Sequence, residues 1–147
     1  MTNNIKLQEV CKQLHIPVVG TTSWPLPREA REILRESNPC PFTAADLEER
    51  LIGTSEFMPR SAIVCLFPYH VPHENPTNLS RYTWATDYHL VVTDYLQRLV
   101  DELKTTAPDA SFSIHCDTSP LADRYIAYLA GLGFYGKNKC FINPTWG

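Results

Sequence analysis

Phe112-Ser113-Ile114-His115-Cys116-Asp117-Thr118-Ser119-Pro120-Leu121 is the stretch on which the fold reading turns. Phe112, Ile114 and Cys116 alternate with Ser113 and His115, the period of a half-buried strand. Thr118 or Ser119 stands ready to cap a helix with Pro120 in its first turn. Gly131 then closes that helix. The expectation is a strand, Asp117, a helix and a glycine-rich loop, together forming a ligand-handling segment that runs on to Trp146.

Upstream lies the clearest helix of the chain. Tyr88, Val91, Val92, Tyr95, Leu96, Leu99 and Leu103 form one apolar stripe, with Asp94, Arg98, Asp101 and Glu102 facing outward. Pro108 stops it. Ser61-Ala62-Ile63-Val64-Cys65-Leu66-Phe67 is a continuous apolar run closed by Pro68, which reads as a strand buried on both faces. Between these two, His70 to Ser80 is rich in proline and asparagine and reads as loop.

Further out, Leu7, Val10, Cys11 and Leu14 recur at helical spacing, with Asn3 or Asn4 as cap. Ile16 to Gly20 reads as a short strand. Trp24-Pro25-Leu26-Pro27 breaks the chain, Arg28–Ser37 returns to helix, and Asp46–Ile52 reads as another short helix. Phe141-Ile142-Asn143 opens a last strand. Helices interleaved with short strands give an α/β fold (an α+β sandwich), a mixed sheet with helices packed on it.

Composition sets the frame for these elements. A chain of 147 residues fits one domain over 1–147 and is long enough to bury a core. Hydrophobic residues at 44% and charged residues at 20% are ordinary for a globular protein. The formal net charge of −3 supplies no global basic field for nucleic acid. No apolar run approaches the roughly 20 residues of a membrane span. The polar start MTNNIKLQEVCKQL has no signal-peptide core, which points to the cytoplasm and away from membranes. The cysteines at 11, 40, 65, 116 and 140 are too dispersed for a zinc or iron–sulfur ligand set. Cys65 and Cys116 read as small core hydrophobes.

Three places could carry chemistry. Asp117 sits where a strand is expected to end and a helix to begin. There the helix terminus lowers a carboxyl pKa, whereas burial against an apolar neighbour or ligand raises it. A general acid at neutral pH needs burial to win; otherwise the residue is a cap or turn aspartate. Gly131-Leu132-Gly133-Phe134-Tyr135-Gly136-Lys137-Asn138 has the spacing G-x-G-x-x-G in the wrong context. It follows a helix and precedes a strand, the reverse of a dinucleotide site. It reads either as a helix end plus loop, or as backbone brought close to a flat ligand. Arg81-Tyr82-Thr83-Trp84-Ala85-Thr86-Asp87-Tyr88-His89 crowds aromatics, a cation and a histidine at the mouth of the long helix, which suits an amphipathic ligand. Asp87 also reads as that helix's cap. His70 and His73 lack i, i+4 partners, so no metal site is read here.

These segments together resemble one family, the epoxyqueuosine reductases. Pro59-Arg60-Ser61-Ala62-Ile63-Val64 with Pro68-Tyr69 is similar to the family's "arSvI…PY" strand, and Leu7 to Thr21 resembles its opening. Arg81-Tyr82 and Asp87-Tyr88-His89 resemble "YARGRDYH", and Asp117-Thr118-Ser119-Pro120-Leu121 with Arg124 resembles "DtgPvlER". Ala130 to Asn138 is similar to "AGLGWIGKN", and Ile142-Asn143-Pro144 with Gly147 continues the likeness.

The resemblance implies an oxidoreductase of queuosine biosynthesis that reduces epoxyqueuosine to queuosine in tRNA, using cobalamin and two [4Fe-4S] clusters. Asp117 matches the family's proton donor. Arg81, Tyr82, Asp87, Tyr88, His89, Gly136, Lys137, Asn138 and Phe141 are the implied cofactor-side contacts. The clusters are expected in a ferredoxin-like domain after residue 147, since this chain carries no C-x-x-C-x-x-C run. Without them it is expected to be inactive by itself, and the protein is expected to be a monomer.

The chain departs from the family pattern at Thr83-Trp84-Ala85-Thr86, where an arginine and a glycine are replaced. It departs again at Asp123, where the family has glutamate, and at Tyr135. Two other readings stay open. One is a cobalamin-binding carrier module, which would lack downstream cluster motifs. The other is a reductive dehalogenase-like domain, which would carry a twin-arginine signal not seen in this N-terminus.

Overall fold

The computed structural model describes residues 2–36, 58–68, 78–117, 119 and 121–147. The helix read over Asp46–Ile52 and most of the loop from His70 to Ser80 lie outside the described residues. In chain order the elements are α1 (Thr2–Gln13), β1 (Val18–Ser23), α2 (Arg28–Glu36) and β2 (Ser61–Leu66). A 3-10 turn (Arg81–Trp84), α3 (Tyr88–Thr106), α4 (Asp123–Leu129), β3 (Phe134–Tyr135) and β4 (Phe141–Ile142) follow. Strands β1 and β2 pair with each other, as do β3 and β4. The class is α/β, as the sequence indicates. The described residues separate into two compact units, residues 1–19 with 65–118 and residues 20–64 with 119–147.

In the first unit α1 packs against α3. Leu7 and Cys11 are buried on α1, and Leu99 and Val100 on α3. Helix α1 ends in a Schellman motif: Ile16 N–H donates to the Cys11 carbonyl (2.8 Å) and His15 N–H to the Lys12 carbonyl (3.1 Å). His15 takes the left-handed position (φ 59°) and Ile16 is buried just beyond it. On α3 the expected stripe holds at Tyr88, Val92, Tyr95, Leu96, Leu99 and Leu103, whereas Val91 turns to solvent and Val100 is buried instead. The Tyr95 ring packs on Phe67 (5.5 Å between centroids) and carries the Arg98 guanidinium at 5.2 Å. A hydrogen bond with Cys11 and burial both push the Cys65 thiol pKa up, so Cys65 stays protonated and packs as a hydrophobe.

In the second unit Trp24, Leu26, Ala30 and Ile126 form the core, with Ala62, Val64, Leu121, Tyr125 and Leu129 packed around it. The peptide bond between Trp24 and Pro25 is cis. Trp24 N–H donates to the Arg60 carbonyl (2.9 Å). Gly20 is required by close packing, because a Cβ there would lie 2.7 Å from the Ala130 carbonyl oxygen and from the Leu132 side chain. Helix α4 ends like α1, with Leu132 N–H on the Ala127 carbonyl (3.1 Å) and Gly131 N–H on the Tyr128 carbonyl (3.0 Å). Here glycine holds the left-handed position (φ 73°) and Leu132 is the buried residue beyond it. Gly131 closes this helix as the sequence indicates.

Three expectations are corrected. Phe112–Cys116 is not a strand, since no described segment forms a ladder with it. In this segment Ser113 Oγ and the His115 ring nitrogen Nε2 meet at 2.7 Å, and His115 is half-buried like Ile114 and Cys116. The helix after Asp117 starts late, at Asp123, with Ala122 rather than Thr118 or Ser119 at its cap position. Ser119 Oγ instead accepts from the Leu121 N–H (3.0 Å), a local turn that competes with helix initiation. Finally, β2 is half-buried from Ala62 to Leu66 rather than fully buried on both faces.

Candidate functional site

The first unit gathers Asp87, Tyr88, His89 and Asp117 at one place. Helix α3 begins at Tyr88, and Asp87 caps it by accepting from the His89 N–H through Oδ1 (2.9 Å). The same oxygen meets the His89 ring nitrogen Nδ1 at 2.8 Å. One carboxylate therefore both starts the helix and fixes the imidazole. Those two hydrogen bonds from His89, the ring contact first and the backbone contact second, hold the Asp87 carboxyl pKa below its usual value. Asp87 accordingly stays ionised through the neutral range.

Asp117 reaches this cluster from a bend 29 residues beyond Tyr88. Its backbone is left-handed (φ 59°), a conformation that aspartate tolerates better than most residues but that still carries strain. Tyr88 Oη donates a short hydrogen bond to Asp117 Oδ2. His89 Nε2 lies 3.6 Å from that same oxygen, within ion-pair range and longer than a hydrogen bond. The Tyr88 and His89 rings stack at 4.1 Å. A phenol and an imidazole thus converge on one carboxyl oxygen, and a second carboxylate orients the imidazole from behind. Such an array can hold a proton, pass it on and restore it.

The helix-terminus argument for Asp117 does not survive the fold. Helix α4 begins only at Asp123, so Asp117 is not at its N-terminus. The Asp117 side chain is 62% exposed.

Arg81 and Tyr82 open the 3-10 turn that precedes Asp87. The remaining expected contacts lie together in the second unit, on a β-hairpin where the sequence suggested a loop. Phe134 pairs with Ile142 and Tyr135 with Phe141. Gly136 N–H donates to the Cys140 carbonyl (2.9 Å), Lys139 N–H to the Gly136 carbonyl (2.9 Å), and Lys139 takes the left-handed position (φ 63°). Asn138 Oδ1 accepts from the Cys140 N–H (3.1 Å), so half of its amide serves the turn. A Cβ on Gly133 would stand 2.2 Å from the Ile142 carbonyl oxygen, and one on Gly136 2.8 Å from Asn138 Oδ1. These glycines are explained by the hairpin's own packing.

Around the hairpin Tyr125, Tyr128, Tyr135 and Phe141 form a ladder of rings spaced 5.8, 5.9 and 6.5 Å. Phe134, Tyr128 and Tyr135 are exposed, and Lys137 is exposed at the turn. Burial pushes the Tyr125 and Tyr135 phenol pKa values up, so both remain hydrogen-bond donors at neutral pH. Arg124 anchors the turn by donating to the Lys139 carbonyl (3.2 Å). Among the described residues no group of three His, Cys, Asp or Glu side chains could hold a metal ion. Nor is any described helix long and apolar enough to cross a membrane.

A family model described as "Epoxyqueuosine reductase QueG, DUF1730" matches residues 55–118, a span that ends just past Asp117. An epoxyqueuosine reductase of Synechocystis sp. is 37% identical over 93 residues, covering 60% of this chain and 32% of the relative. One of Prochlorococcus marinus is 31% identical over 105 residues, covering 69% of this chain and 32% of the relative. This chain is a relative of the epoxyqueuosine reductases. The fold agrees: an epoxyqueuosine reductase structure from Streptococcus thermophilus aligns with 100% of the chain at a TM-score of 0.80 and 25% identity, covering 43% of that protein. A selenomethionine-labelled epoxyqueuosine reductase aligns with a TM-score of 0.79. The chain spans about a third or less of the length of the curated reductases it matches.

Sequence reading singled out Asp117, Asp87, Tyr88 and His89, but not that the last two touch Asp117. No local signal carries that contact, because the partners are 29 residues apart. The β3–β4 pairing was missed because Phe134-Tyr135 is too short to show a period.

Proposed function

We propose that this chain is the acid-bearing, cobalamin-facing part of an epoxyqueuosine reductase acting on tRNA in the cytoplasm. The observation that carries this reading is the convergence of Tyr88 and His89 on Asp117 Oδ2, within a chain whose curated relatives bear that name. Opening an epoxide and expelling its oxygen as water requires proton delivery to that oxygen. A positioned carboxyl backed by a phenol and an imidazole is suited to it. Tyr88 would hold the orientation of the carboxyl, whose Oδ2 would carry the proton given to substrate.

The residues fit cobalamin by their chemistry. A corrin is a broad apolar macrocycle edged with amides. The exposed rings of Tyr128, Phe134 and Tyr135, the half-buried Phe141 ring and the Lys137 ammonium offer stacking surface and a polar rim. Gly136 and Asn138 would present backbone and the Asn138 Nδ2 amide beside them. Arg81, Tyr82, Asp87, Tyr88 and His89 stay proposed as cofactor contacts on the family resemblance alone. When bound and reduced, cobalamin supplies the electrons for the reduction; clusters elsewhere in the complete enzyme would recharge it.

An absorbance titration of the chain with cobalamin tests the cofactor. Conversion of epoxyqueuosine-tRNA to queuosine-tRNA, with a cluster-bearing domain and a strong reductant supplied, tests the activity. Conversion is the expected result, and its absence with clusters intact would overturn the substrate assignment.

A further inference from the structure

We propose that His89 is a positioning residue that stores and returns the proton of Asp117, and that Asp87 sets which ring nitrogen does so. The proposal rests on the reading of Asp117 as the acid and deepens it. Asp87 Oδ1 sits 2.8 Å from His89 Nδ1 and is also tied to the His89 N–H. An ionised carboxylate at that distance keeps a proton on Nδ1 in both the neutral and the cationic ring. Proton exchange is thereby confined to Nε2, the nitrogen that faces Asp117 Oδ2 at 3.6 Å. The stacked Tyr88 ring, 4.1 Å away, restrains the imidazole in that orientation. Asp87, Tyr88 and Asp117 are the titratable groups that face the His89 ring among the described residues.

The step balances without any redox partner. Asp117 gives its proton to the leaving oxygen and becomes a carboxylate. His89 then closes the gap to about 2.8 Å, a charge-assisted hydrogen bond. The Nε2–H bond of the imidazolium breaks and an O–H bond forms at Oδ2. The neutral ring keeps its Nδ1–H against Asp87. Solvent reprotonates Nε2, the His89 side chain being 48% exposed. Tyr88 donates to Oδ2 throughout and holds the carboxyl in place while its proton is absent.

The first test needs no turnover and uses the chain as it stands. Nitrogen-15 NMR of the His89 ring at about pH 8.5, above the ordinary imidazole range, should show mainly the Nδ1–H tautomer. Asp87→Ala should shift the ring towards Nε2–H. A wild-type ring already in the Nε2–H form would overturn the proposal, whatever the substrate proves to be. The second test uses the cobalamin-loaded, cluster-supplied enzyme. His89→Ala should lower kcat about 10- to 100-fold with little change in KM for tRNA, and added imidazole should restore much of the loss. His89→Gln, which keeps the helix start packed, should show the same kcat loss. A raised KM without imidazole rescue would make His89 a binding contact and sink the storage role. Failure of the reductase reading shows itself differently, as absence of conversion in the unmodified enzyme with the tautomer result intact.

Discussion

The Asp117 cluster and the β3–β4 hairpin are built in opposite ways. The cluster is held by side chains: the exposed Asp87, His89 and Asp117 and the half-buried Tyr88 grip one another. The hairpin is held by backbone and by Asn143, a buried amide. Asn143 Nδ2 donates to the Leu132 carbonyl (2.7 Å), and its Oδ1 accepts from the Thr145 and Trp146 N–H groups (3.0 and 3.2 Å). On the proposed function, the residues expected to do chemistry and those that hold the fold are separate. Substitutions in the cluster should change turnover and leave the fold; substitutions at the hairpin's close-packed positions Gly133 and Asn143 should lower stability.

The sharpest attempt to break that contrast is Asp117→Asn. Turnover of epoxyqueuosine-tRNA should fall at least ~100-fold, the scale of a lost general acid, with the unfolding midpoint in urea nearly unchanged. Near-wild-type activity would make Asp117 a turn residue. The hairpin counterpart is Asn143→Ala. It strands the buried Leu132 carbonyl and two N–H groups and should cost about 2–4 kcal/mol, read as a lowered urea midpoint. A smaller loss, about 1–3 kcal/mol from overpacking, is expected for Gly133→Ala, whose Cβ would meet the Ile142 carbonyl. Gly131→Ala separates backbone strain from overlap. Nothing lies within 4 Å of its Cβ, so its cost of about 1 kcal/mol should come from the left-handed backbone alone.

The smallest effect is at Asp87. Its depressed pKa means that its capping stabilisation is present above the unfolded value of about 3.9 and is lost only as pH falls through the lower folded value. An NMR titration of the His89 amide proton should therefore show a midpoint below that of a free aspartate. A midpoint at or above it would mean that the cap is not made in solution.

Much of this molecule is determined by local sequence. The 3.6-residue stripe from Tyr88 to Leu103 sets α3, the Asp87 side chain starts it, and Gly131 stops α4, because each depends on neighbours within one or two turns. The likeness to the epoxyqueuosine reductases was also legible there, in the residues around Asp117 and Gly131. Local pattern misled at Phe112–Cys116, which forms no ladder among the described residues, and at Ser119, whose hydroxyl serves the Leu121 N–H in place of a helix cap.

What only the tertiary structure decided is the company Asp117 keeps. Sequence placed a carboxyl after an apolar run and a Tyr-His pair at a helix mouth, as separate features. Their meeting depends on the left-handed turn at Asp117 and on a closure spanning 29 residues. Such a contact is set by where the chain is returned in space, which no window of neighbouring residues records.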